Sequence, residues 1–406
     1  MKKVIIALVC IFALLIGCSP VKQNSEETTV QPFYNGENVK YVKSVWITYY
    51  ELEKLIDGKS AEEFKKTVNK AFKQLYSMGF NTVTVQVRAF ADAIYKSDLF
   101  PVSKYCFGEQ GSELKFDVLE ILCTGAKNNN LSVEAWVNPY RVSFDNDMEK
   151  LCDSNIAKKW YINDKTKSNV YIFDKGIYFN PASEDVKQLI IDGVYEIVNN
   201  YDISAIQFDD YFYPANDKDI DKAEYDEKSS LDDFRRNNVS DLIKRVNKCI
   251  KKVNPNTRFI ISPASDIDKD YSNLYADVEL WAGDDEYCDA ICPQIYFGFK
   301  NVYQPFMFMV KKWVGITKND LYIGLPLYKS GKKDKYAAID DKTAINEFKN
   351  NKNIIARQIN YLAKLDDIKG FYVFSYSSLS DEKCSKEVEN MIKAIQSTHP
   401  NQSYTQ

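Results

Sequence analysis

The sequence predicts an α/β chain folded as a TIM (β/α)8 barrel with long βα-loop insertions. Short apolar, β-branched runs alternate with amphipathic helical stretches from Tyr41 almost to the C-terminus. Eight such runs can be read, nearly all followed by a helix, as in a parallel sheet covered on its outer face. About 360 residues follow the polar N-terminal stretch, a length that suits eight strand–helix units. A doubly wound open sheet is the competitor, but no glycine-rich phosphate loop follows an early strand.

The elements follow in order. "YVKSVWITYY" (41–50) is the first strand pattern. "SAEEFKKTVNKAFKQLYSMGF" is a helix: Ser60 and Glu63 form a capping box, Phe64, Val68, Phe72 and Leu75 recur at helical spacing, and Gly79 stops it. "NTVTVQV" (81–87) is the second strand, followed by a long loop and a helix near 116–128. "LSVEAWV" (131–137) is the third. A long insertion leads to an acidic-capped helix over 184–200, with Val186, Leu189, Ile190, Val194 and Ile197 on one face. The fourth strand opens "AIQFDDYFYP" (205–214), and a helix over 231–253 follows. Strands "RFIIS" (258–262), "DAICPQIY" (289–296), "LYIGLPLY" (321–328) and "GFYVFSY" (370–376) complete the set. Helices near 304–314 and 354–365 sit between them, and a last helix runs to about 395.

The N-terminus reads as an export signal. Lys2 and Lys3 precede an apolar run, and Leu15-Ile16-Gly17-Cys18 is a lipobox, so residues 1–17 are expected to be removed and Cys18 acylated. The apolar run is too short to span a bilayer. Residues 18–40 read as a flexible tether, 41–396 as the barrel domain and 397–406 as a polar tail. The expected location is outside the cytoplasm, on a membrane through the lipid on Cys18. A formal net charge of −4 without a basic block argues against nucleic acid as a partner.

The cysteines other than Cys10 and Cys18 are scattered and often flanked by apolar residues, as buried thiols are. Only one histidine is present, His399 in the polar tail. A Ser-His-Asp triad, a Cys-His pair and a histidine-ligated zinc hydrolase all need an imidazole within the domain. Any acid–base chemistry therefore falls to carboxylates, tyrosines or lysines. No cofactor and no metal are expected.

Barrel chemistry gathers where strands end. The first tip offers Trp46, Thr48, Tyr49 and Tyr50; the second Gln86, Arg88 and Asp92; the third Glu134, Trp136, Asn138, Tyr140 and Arg141. The fourth offers Gln207, Asp209, Asp210, Tyr211 and Tyr213, the fifth "SPASDID", and the sixth Gln294 and Tyr296. Aromatics stack on the C–H faces of sugar rings, while amides and carboxylates bind hydroxyls.

"WVNPYRV" (136–142), "FNPASEDVKQLIIDGVYEIVNNYDISAIQFDDYFYP" (179–214), "YADVELW" (275–281) and "ICPQIYFGF" (291–299) resemble the glycosyl-hydrolase-like family 10 proteins. These are bacterial proteins, often secreted or lipid-anchored, with a TIM barrel taken to hydrolyse glycosidic bonds. One lipoprotein type cleaves peptidoglycan strands stripped of their peptides. The resemblance implies a glycan partner, and it carries over Arg88, Asp92, Asn138, Tyr140, Arg141, Asp209, Asp210, Gln294 and Tyr296. Glu134 and Gln207 stand where relatives often have histidine, and "SPASDID" replaces an "SPFG"-like segment.

Neighbouring strand residues point to opposite faces, so Asp209 and Asp210 cannot both face the axis of a regular strand. Most glycosidases use two separated carboxylates, yet the sixth strand supplies Gln294 and Tyr296 and no acid. Adjacent acids suit substrate assistance, in which the sugar's own 2-acetamido oxygen is the nucleophile. The expectation is Asp210 as proton donor and Asp209 as polariser of the amide N–H, with Tyr296 and Gln294 binding the acetamido group. Glu134 is the reserve catalytic acid. Trp46, Trp136, Tyr211 and Tyr213 are expected sugar contacts. The polar insertion "ANDKDIDKAEYDEKSSLDD" (215–233) is expected to form a mobile rim beside the cleft. Two other readings are a glycan-binding lipoprotein without catalysis, and a metal site built from Asp209, Asp210, Asp266 and Asp268.

Overall fold

The computed structural model describes residues 40–398 except 210, 211, 215, 216 and 218. Eleven strands form: β1 (Val42–Ile47), β2 (Thr82–Arg88), β3 (Ser132–Val137), β4 (Arg141–Ser143), β5 (Val170–Phe173), β6 (Gly176–Phe179), β7 (Ala205–Phe208), β8 (Arg258–Ile261), β9 (Ala290–Ile291), β10 (Asp320–Leu325) and β11 (Ile368–Val373). Eight of them close a barrel in the order β1-β11-β10-β9-β8-β7-β3-β2. Every neighbouring pair is parallel, and β1 joins β11 through Val42–Gly370 to Val45–Val373. The predicted fold class is the observed one. The insertion after β3 contributes a small antiparallel sheet, β4-β6-β5.

Two apolar regions result from strand alternation. Outward residues such as Val83, Val85 and Ile206 pack under the helices in one large core. The helix Glu184–Asn200 buries Val186, Leu189, Ile190, Val194 and Ile197, the face its spacing predicts. Inward residues make a second cluster inside the barrel, including Trp46, Trp136, Ile260, Tyr322 and Tyr372. Ser60 and Glu63 form the expected reciprocal cap on the helix Ala61–Ser77. Each stretch read as a barrel strand overlaps one, but the sixth is shortest: β9 stops before Pro293, which has no N–H for a ladder, and the line continues only as bridges from Gln294 to Ala264 and Gly324.

The polar insertion after β7 departs from the expectation of a mobile rim. Ile220 and Asp221 are buried. Asp221 accepts from Arg235 Nε at 2.7 Å and Nη2 at 2.9 Å, and from the Tyr213 hydroxyl at 2.8 Å. Arg235 lies in the helix Leu231–Val253 and stacks over the rings of Tyr213 and Tyr275. A bidentate pair of this kind anchors the loop to its following helix.

Candidate active site

A cavity of about 300 Å³ opens at the C-terminal ends of the barrel strands. Aromatic rings wall it: Trp46, Trp136, Tyr296 and Phe374 from strand ends, with Tyr49, Tyr50 and Phe144 joining them. Gln86, Gln207, Asp209, Ser262 and Gln294 supply polar lining, and Arg141 adds a guanidinium. Trp46 fits where it does because residue 324 is glycine. A Cβ there would stand 3.0 Å from Trp46 Cη2 and 3.2 Å from the Gln294 Cα.

Asp209 follows the last residue of β7 and is 3% exposed. Its Oδ2 accepts from Trp136 Nε1 at 3.1 Å and from Asn138 Nδ2. Asn138 is itself oriented: its Oδ1 accepts from Gln86 Nε2 at 2.6 Å, and Gln86 Oε1 takes the Tyr49 backbone N–H at 3.2 Å. A donor chain thus runs from the start of the helix Tyr49–Ile56 through β2 to the carboxylate beyond β7. Such fixed donors hold one carboxylate oxygen in place and leave little rotamer freedom to the group.

Gln207, two residues earlier on the same strand face, lines the same cavity. Its Oε1 accepts from Trp46 Nε1 at 2.6 Å. Glu134 sits a layer deeper and off the cavity wall. Both its oxygens take hydroxyls, from Thr84 at 2.7 Å and Tyr372 at 2.8 Å, while burial pushes its carboxyl up to about 7.

Six of the residues expected at the site line the cavity: Trp46, Trp136, Arg141, Asp209, Gln294 and Tyr296. Asn138 joins them through Asp209. The remainder lie elsewhere or outside the described residues. The register shifts between Gln86 and Arg88, and Arg88 lies 4.5 Å over the Phe100 ring, against Gly193 of an outer helix. Asp92 is buried in the β2 loop, where it accepts from Gln110 Nε2 at 2.8 Å and burial raises it to about 6. Tyr140 packs in the outer core, and Tyr213 belongs to the Asp221–Arg235 cluster. Asp210, Tyr211 and Cys18 lie outside the described residues. In the oxygen-ligand reading, Asp266 caps the helix Ile267–Asn273 and accepts from Gln304 Nε2, while Asp268 faces Lys312 at 3.2 Å. Among the described residues no group of three or more His, Cys, Asp or Glu could hold a metal.

Gln86, Gln207, Tyr49, Tyr50, Ser262, Phe144 and Phe374 are lining residues that were not assigned a role from sequence. For Gln86 and Gln207 the signal was present: each occupies a strand tip, and Gln207 shares the face of Asp209 by period-two alternation.

Fold and site together define a class: a (β/α)8 barrel with an aromatic-walled, carboxylate-bearing cleft at its strand ends. The chain belongs to the family described as glycosyl hydrolase-like 10, whose profile matches residues 41–339. Glycosyl hydrolase YngK of Bacillus subtilis (strain 168) is 30% identical over 330 residues, covering 73% of this chain and 62% of that protein. Glycosyl hydrolase DigH of Escherichia coli (strain K12) is 29% identical over 293 residues, covering 64% and 65%. The chain therefore spans less than two thirds of the length of these relatives. Among solved structures, the PgaB (BpsB) glycoside hydrolase domain of Bordetella bronchiseptica superposes with a TM-score of 0.55 at 11% identity, over 86% of this chain and 98% of that one. An alpha-amylase of Geobacillus thermoleovorans, complexed with acarbose, gives 0.52 at 11% identity over 89% and 78%. These structural likenesses are of fold.

Proposed function

We propose that this protein is an extracytoplasmic glycoside hydrolase of N-acetylated bacterial glycan, such as peptide-free peptidoglycan strands, held at a membrane by acylated Cys18. One observation carries the reading: Asp209 is gripped by Trp136 and Asn138 inside a cavity walled by aromatic rings. The cavity is at the small end of ligand sites, which run from about 300 to 1,000 Å³, as suits one or two sugar rings at the reacting bond.

In this mechanism a sugar ring stacks among Trp46, Trp136 and Tyr296, and Asp209 accepts its acetamido N–H. The acetamido oxygen then attacks C1 as the bond from C1 to the leaving oxygen breaks. Asp210, assigned from sequence, gives its proton to that oxygen. Water then adds at C1, the amide re-forms, and the water's proton returns to the acid. No carboxylate nucleophile is required, in keeping with a described lining that holds one carboxylate. That same lining favours the second reading, a binder of glycan without catalysis.

Release of new reducing ends from peptide-free, N-acetylated strands separates the two. Turnover that falls by about 10²–10⁴-fold in Asp210→Asn, with an activated leaving group largely spared, supports the hydrolase. Tight binding without release supports the binder.

A further inference from the structure

We propose that Gln207 is a specificity-determining donor that grips the carbonyl of an N-acyl group on the sugar, while Asp209 takes the N–H of the same amide. This rests on the proposed reading of the cleft and adds to it a second recognition element on the neighbouring inward position of β7.

The argument begins with an amide whose orientation is settled by its surroundings. Trp46 Nε1 can only donate, so the Gln207 atom 2.6 Å from it is the oxygen. The other end of the amide is then Nε2. Gln207 is fully buried, and among the described residues Nε2 has no hydrogen-bond partner. Buried polar groups are paired in the great majority of cases, and a bare N–H in such a place is costly. Gln207 borders the cavity, so the missing acceptor belongs to what fills it.

The other glutamines of the cleft are engaged differently. Gln86 gives its N–H to Asn138 and takes the Tyr49 N–H, and Gln294 donates to the Ser262 carbonyl at 3.2 Å. Gln207 and Asp209 stand two residues apart on one face, about 6.6 Å along the strand. One is a neutral donor fixed by Trp46, the other an acceptor fixed by Trp136 and Asn138. A ligand that satisfies both offers an acceptor and a donor pointing in opposite directions on a rigid group. A secondary amide does so. A free amino sugar brings a cation and no carbonyl, and a plain hydroxyl must serve both sides with a single oxygen.

The test compares N-acetylated strands with the same strands after N-deacetylation, using the full chain and two variants. Gln207→Glu keeps an oxygen for Trp46 and removes the donor; Gln207→Met keeps the volume and removes both polar atoms. The expected result is that kcat/KM on N-acetylated strands, or binding affinity if the chain only binds, falls about 10- to 100-fold in both variants. The preference over deacetylated strands should shrink by the same factor, with folding monitored by circular dichroism and melting temperature. A variant that folds and keeps the native preference shows that Nε2 serves an internal water, and overturns the proposal while the hydrolase reading stands. A native chain that neither cleaves nor binds N-acetylated strands overturns both. If Gln207→Glu fails to fold, Gln207→Met decides on the same criteria.

Discussion

Asp209 is held by the side chains of Trp136 and Asn138, and the order of those contacts predicts what each substitution does. Trp136→Phe keeps a ring on the cavity wall and deletes the indole donor to Oδ2. A hydrogen bond to a charged group is worth about 1.5–3 kcal/mol, so turnover should drop roughly 10- to 100-fold with little change in melting temperature. Steady-state kinetics beside a thermal melt checks this; an unchanged rate would detach Trp136 from the chemistry. Glu134 behaves differently. Burial raises its carboxyl from 4.5 to about 7, against the lowering effect of the Thr84 and Tyr372 hydroxyls. Between those two values the folded chain holds the proton that the unfolded chain has released. This contribution to stability is complete below about 4.5 and is lost as pH rises through about 7. Glu134→Gln should flatten that part of the melting-temperature profile and raise stability above pH 7 by up to about 3 kcal/mol. An unaltered profile would contradict the assignment. At this scale the sequence disclosed residue types and faces: Asp209, Trp136 and Asn138 are inward tips by alternation. It did not disclose Arg88, because the register shift after Gln86 that accompanies its outward turn leaves no compositional trace.

Among the elements, the loop after β7 is where local composition misleads most. Its residues are polar, as in a solvated linker, but one of its aspartates meets an arginine that lies 14 residues further on. Asp221 and Arg235 are 0% and 1% exposed at the side chain. Removing one partner of such a pair leaves the other charge buried, at a cost of about 3–5 kcal/mol. Asp221→Ala should therefore lower the melting temperature by several degrees and release Tyr213, which calorimetry and tyrosine fluorescence would register. A melt within a degree of the native one would show the anchor to be dispensable. Strands and helices were more legible. The strand stretches stand out because parallel strands buried on both faces read as continuous apolar runs, and helices because one face is buried and caps mark their ends. The helix Tyr49–Ile56 was hidden: its cap Thr48 and its first residues Tyr49 and Tyr50 sit in a run that reads as strand, and Glu51 binds Ser375 and Ser377 across the barrel seam.

For the whole molecule, closure between β1 and β11 draws on residues 368–373, beyond the stretch that matches the family at 41–339. The regular alternation of strand and helix made that last strand readable without the family's help. Location belongs to this scale too. The lipobox motivates a mature protein that partitions with membranes through acyl chains on Cys18. Cys18→Ala should move the chain to the soluble fraction while leaving the activity of the barrel intact. Unchanged membrane association after that substitution would remove the anchor from the account.

The central claim is that a fixed Asp209 polarises a sugar's own amide. Initial rates of reducing-end release should be compared for native protein and Asp209→Asn, on N-acetylated glycan with a natural leaving group and with an activated one. The account predicts loss of at least about 100-fold on both substrates in Asp209→Asn, since the amide nucleophile must be polarised whatever leaves, and no cleavage of sugars lacking the 2-acetamido group. Comparable cleavage of a sugar without that group, or full activity of Asp209→Asn, would contradict it.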